Sequence, residues 1–217
     1  MKKSAFLYAA AGAALLAVAG CASTPKPTSA DLDREALAVI KASFRDQGIA
    51  TVDRLNQDAV QKACSSDKPP AEALAKQIEG EALAAIKWPA GGRYLGDWRE
   101  GEKLAQSGRG MTWSDASVAT TANGGNCYNC HQISKQEISY GTLGPSLYNY
   151  GKLRGVKDVA DPASAAIVQY TWGKMWNSKA YAACSNMPRF GHAGLLDEDQ
   201  LRHLMALLLD PKSPVNQ

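Results

Sequence analysis

Apolar residues recur along this chain at helical rather than strand spacing. Leu37, Ile40 and Phe44 stand at i, i+3 and i+7, which predicts a helix from Asp31 with Gly48 as its stop. Residues 53–63 carry a weaker helical pattern that ends near Cys64. The chain restarts after Pro69-Pro70, and Leu74, Ile78, Ala82 and Ile86 recur every four residues until Trp88-Pro89 ends the run. Gly91-Gly92 reads as a boundary. Beyond it, Asp97 followed by Glu100 has the form of a capping box and opens a short helix carrying Trp98, Gly101, Leu104 and Ala105. Residues 108–126, rich in Gly, Ser, Thr and Asn, read as a loop. Asp161-Pro162 places a cap and an N1 proline ahead of a helix whose apolar face would be Ala163, Ala166, Ile167 and Tyr170. Asp197 and Gln200 form another capping box, after which Leu201, Leu204, Met205 and Leu208 make one stripe ending at Asp210-Pro211. No βαβ pattern interrupts this sequence of elements, and the expected fold class is all-α.

The first residues follow a different pattern. Lys2 and Lys3 precede an apolar stretch over residues 6–18 that is short for a bilayer span, so residues 1–20 read as a signal peptide. The run Leu16-Ala17-Val18-Ala19-Gly20-Cys21 resembles a bacterial lipobox, in which Cys21 is lipidated and becomes the mature N-terminus. Ala17-Val18-Ala19 also satisfies ordinary signal-peptidase cleavage, and both readings export the chain. Residues 21–30, with Pro25 and Pro27, then form a tether, residues 31–90 a helical extension without a catalytic cluster, and residues 91–217 the main domain. Taking Lys2 and Lys3 from the 24 basic residues brings them almost level with the 21 acidic ones. That balance gives no reason to invoke nucleic acid, and the membrane would be met only through a lipid anchor.

The densest chemistry lies at Cys127-Tyr128-Asn129-Cys130-His131, a C-x-x-C-H motif of the kind that attaches a c-type haem. Side chains three apart share one face of a helical turn, so both sulfurs can meet the vinyl groups along one porphyrin edge. His131 then offers its imidazole to the iron as proximal ligand. A thioredoxin-like dithiol would need a βαβ surround and a structural zinc site a second ligand pair, and neither pattern is present. Of five cysteines, Cys64 and Cys184 remain. In an oxidising compartment they would form a disulfide tying the extension to the main domain, contributing roughly 3–5 kcal/mol in the chain-entropy model. The alternatives are two buried free thiols or one reactive one.

Gly144-Pro145-Ser146-Leu147, following this motif, resembles the Gly-Pro-x-Leu segment of class I cytochromes c. That resemblance implies a haem pocket in which Pro145 backs the proximal histidine and fixes a carbonyl as acceptor for its ring N–H. It also implies that the first and last helices cross, with Gly101 allowing close approach and Leu104 in a position often aromatic. Met187-Pro188, ahead of the last helix, matches the family's distal-ligand pattern, and His/Met ligation raises the potential of haem iron. Met175 and His192 compete with Met187 for that role, while Met111 and Met205 fit less well. Trp172, Trp176 and Tyr181 are expected to pack a core or a haem edge. The expected architecture is a class I cytochrome c-like haem domain with an N-terminal helical extension.

Trp176-Asn177-Ser178-Lys179-Ala180-Tyr181, closing on Cys184-Ser185-Asn186-Met187-Pro188-Arg189-Phe190-Gly191, is similar to the SoxX family, the small cytochrome subunits of bacterial thiosulfate oxidation. This resemblance implies one covalent haem c and a SoxA-like haem subunit as heterodimer partner. It further implies a SoxYZ-like carrier complex whose cysteine receives thiosulfate, and a soluble cytochrome c as electron acceptor. The pair would act as an L-cysteine S-thiosulfotransferase, with this chain accepting electrons and holding no catalytic residue. The alternative expectation is a membrane-tethered periplasmic carrier serving another dehydrogenase or an oxidase.

Overall fold

A computed structural model describes residues 26–217, so the expected signal peptide and Cys21 lie outside the described residues. Two compact units divide at Arg45/Asp46. In the first, helix α1 spans Ser29–Ser43 and buries none of its residues. Thr28 caps it, in a reciprocal box with Asp31, which moves the start ahead of the expected Asp31. The helix stops at Ser43 instead of reaching Gly48, because Phe44 is already extended. Gly48 serves a turn instead, at φ +54° between Gln47 and Ala50.

The second unit, Asp46–Gln217, takes in residues 46–90 of the expected extension together with the main domain. Helix α2 is Ala59–Cys64, short because Asp58 accepts from Gln61 N–H at 2.7 Å and so starts a new helix at that point. The expected run over 53–63 is therefore broken into a 3₁₀ turn, Val52–Leu55, and α2. Helix α3, Glu72–Ala84, buries Ile78 and Ala82, and Ile86 just beyond it is buried as well, but Leu74 stays 41% exposed. A four-residue repeat drifts about 40° round the helix per step, so the first member leaves the face that the others share.

Helix α4, Trp98–Gln106, crosses helix α7, Glu198–Leu209, at Gly101. A Cβ there would stand 2.2 Å from the His203 carbonyl oxygen, so only glycine lets the two backbones meet. The crossing also undoes the expected capping box. Asp97 does cap, accepting from Arg99 N–H at 2.8 Å, but its own N–H donates to His203 Nδ1 at 2.8 Å and Glu100 pairs with Lys103. The box at Asp197 and Gln200 forms in full. In α7 the stripe Leu201, Leu204, Met205 and Leu208 is buried, together with Leu207 and Leu209. Burying each such side chain contributes about 1.5–3 kcal/mol.

Helix α5 is a single turn, Tyr150–Leu153, and helix α6 spans Ala165–Trp176 behind a 3₁₀ turn capped by Asp161. The buried face of α6 is Val168, Trp172, Met175 and Trp176; Ala163, Ala166 and Tyr170 face outward. The two indoles decide that face. Trp172 is fully buried, stacks on Trp176 and donates its indole N–H to the Lys87 carbonyl at 2.9 Å. Among the described residues no strand forms, and the fold is all-α. None of their helices is long and apolar enough to cross a membrane.

Candidate haem site

The C-x-x-C-H motif is presented by a tight turn docked on the end of α4. Gly125 N–H donates to the Leu104 carbonyl at 2.8 Å and Asn126 N–H to that of Ser107 at 2.9 Å. Asn126 then takes a left-handed conformation, φ +50°, and turns the chain into a 3₁₀ turn over Cys127–Asn129. Asn tolerates that region better than most residues. The N–H groups of Cys130 and His131 both return to the Cys127 carbonyl, at 3.1 and 2.9 Å, so both thiols and the imidazole belong to one turn.

The Gly144-Pro145 segment runs alongside this turn. Gly141, Gly144 and Leu147 donate to the carbonyls of Tyr128, Cys130 and Gln132 at 2.7, 2.8 and 2.7 Å. Nδ1 of His131 lies 2.7 Å from the Pro145 carbonyl oxygen. That acceptor calls for a proton on Nδ1 and leaves the Nε2 lone pair for a metal. Gly144 forms a cradle for the ring, since a Cβ there would stand 2.1 Å from His131 Cε1. Cys127 and Cys130 carry free thiols, whereas Cys64 and Cys184 are joined in a disulfide with Cα atoms 5.4 Å apart. Burial pushes the Cys127 thiol up to about 12, so the site favours an uncharged sulfur, which a thioether is. These features fit a c-type haem. Among the described residues no group of three or more His, Cys, Asp and Glu side chains gathers to hold a bare metal ion.

Met187 is half-buried and packs against the same core as Cys127 and Leu147. Of its competitors, Met175 is buried on α6 and His192 is exposed, its N–H held by the Trp176 carbonyl at 2.9 Å. Motif spacing alone does not reveal Glu102 on α4. Its Oε1 accepts from the Tyr128 hydroxyl at 2.9 Å, and its Oε2 is buried without a partner. Burial and this carboxylate together raise the Tyr128 phenol, keeping it neutral as the donor. The only signal in the sequence is weak: Glu102 follows the close-packed Gly101.

Residues 115–211 match the family model described as cytochrome c. The chain is also 36% identical over 164 residues to a protein of Aquifex aeolicus (strain VF5) described as an uncharacterized lipoprotein. That similarity covers 74% of this chain and 73% of the relative. Residues 115–211 are a cytochrome c domain. Such a domain implies haem c binding and electron transfer. The matched span begins after α4, yet α4 completes the domain by crossing α7 at Gly101. Helices α1, α2 and α3 also lie outside it.

Proposed function

We propose that this cytochrome c carries one haem, bound covalently through Cys127 and Cys130, with His131 and Met187 as its axial ligands. In this reading it serves as the SoxX-like, electron-accepting subunit of an L-cysteine S-thiosulfotransferase. The observation that carries the haem assignment is the 2.7 Å contact of His131 Nδ1 with the Pro145 carbonyl, made from the same turn that holds both thiols. When bound, haem supplies a one-electron ferric/ferrous couple. The chain's part would be to fix the imidazole through Pro145, keep the Cys127 sulfur in a low-dielectric setting, and offer Met187 as a second ligand. With His131 and Met187 both committed to holding the haem iron, the group would exchange electrons outer-sphere rather than bind substrate.

The resemblance of residues 176–191 to SoxX supports the finer reading. In the reaction it implies, a carrier cysteine thiol and thiosulfate form an S–S bond, releasing one proton and two electrons. This bond forms at the partner subunit, and the present chain accepts the electrons singly and passes each to a soluble cytochrome c. The relative's description as a lipoprotein supports a lipid on Cys21 and a periplasm-facing anchor. The same anchor favours a second reading, a tethered carrier for another dehydrogenase or oxidase, because SoxX-like proteins do not require one.

Native mass spectrometry of the tagged protein, purified gently from membranes of its host grown on thiosulfate, tests both readings. The expected result is this chain with one haem, diacylglycerol mass at Cys21 and a second haem-bearing subunit. A haem-loaded chain that is reproducibly alone would leave the tethered carrier.

A further inference from the structure

The loop carrying Met187 is fastened on both sides to elements that lie outside the span shared with the cytochrome c family. Cys184, three residues before Met187, is bonded to Cys64 at the end of α2. Arg189, two residues after it, donates to the Asp58 carboxylate at 3.2 Å, and Asp58 is the residue that caps α2. Ala183 N–H donates to Glu79 of α3 at 3.1 Å. The Ala183 carbonyl accepts from Lys179 Nζ, also at 3.1 Å, and that lysine is only 9% exposed. A covalent bond, an ion pair and a side-chain hydrogen bond thus tie residues 183–189 to α2 and α3. From within the domain, the loop is closed by Ser178 Oγ donating to the Met187 carbonyl and by Phe190 N–H donating to that of Met175.

We propose that α2, α3 and the Cys64–Cys184 disulfide form a brace that holds the Met187 loop in its iron-binding position. Cys64, Asp58 and Glu79 are then positioning residues for the distal ligand. This rests on the reading of Met187 as that ligand. A thioether is a neutral, weak ligand whose occupancy depends on how closely the chain confines it near the metal. Freed from its anchors, the loop must lose backbone freedom each time the sulfur binds, and the sulfur–iron bond becomes the first native contact to fail. The brace explains why an extension with no catalytic cluster is covalently bonded to this loop.

The test compares full-length holoprotein with Cys64→Ser/Cys184→Ser and with Met187→Ala. Three quantities are read: the reduction potential in native buffer, the weak red charge-transfer band of a thioether–iron bond, and helix content along a guanidinium titration. In the double variant the band is expected to vanish at denaturant concentrations where helix content is intact, and the potential in buffer to fall. In the parent the band and the helix are expected to be lost together. Merely structural support would shift both transitions together and leave the potential in place, which would overturn the brace. Met187→Ala with an unchanged band and potential would instead remove the ligand reading itself, and the brace with it. If the double variant yields no folded holoprotein, Arg189→Gln, which keeps the disulfide, is read in the same way. Early loss of the band supports the brace, and coincident loss overturns it.

Discussion

Serine at both Cys127 and Cys130 is expected to leave a protein without covalent haem. A hydroxyl does not add to a porphyrin vinyl group as a thiolate does, so the thioether links cannot form. His131 would still be oriented by Pro145, but one imidazole in a pocket without covalent links releases its haem on denaturation. Haem staining after a denaturing gel should fall to background, and the intact mass should drop by one haem. Single replacements should keep one link and the stain. Stability should fall as well, because the native state loses the packing of a large group against its core. Retained staining in the double variant would defeat the assignment of the motif.

What was legible in the sequence is what is local in the chain. The C-x-x-C-H motif spans five consecutive residues, and the Gly-Pro segment that packs beside it follows closely, so each could be read without knowing the fold. The last helix and its cap were legible for the same reason: Asp197, Gln200 and the leucine stripe lie within one element. Tertiary competition overrode the local signal elsewhere. Asp97 lost its box to His203, a residue 106 positions away. On α6, Trp172 and Trp176 turned a different face inward from the one suggested by Ala163, Ala166, Ile167 and Tyr170. Two cysteines in an export context suggest a bond, but not what the bond supports. The Asp58–Arg189 and Glu79–Ala183 contacts join residues 131 and 104 positions apart, and no spacing rule reaches that far.

Gly144→Ala is expected to disturb His131, the proposed iron ligand, while sparing the fold. The added methyl would lie 2.1 Å from His131 Cε1 and 2.5 Å from Nδ1, well inside the 3.5–4.0 Å at which such atoms pack. The backbone has little room to retreat, because Gly144 N–H is held by the Cys130 carbonyl at 2.8 Å and Pro145 follows with a fixed φ. The imidazole therefore moves, and moving it pulls Nδ1 away from the Pro145 carbonyl. Loss of such a supporting hydrogen bond typically costs about 10–100-fold in metal affinity or activity. The variant should retain its helix content and the Cys64–Cys184 disulfide, yet give less low-spin holoprotein, with a displaced reduction potential. Ser146→Ala is the control: its Oγ donates to Gln132 at 2.9 Å and accepts from Tyr148 N–H, neither of which touches the ring. Parental spectra and potential in Gly144→Ala would mean that the imidazole bound to iron does not lie against this segment. Pro145 would then lose its role as the residue that orients it.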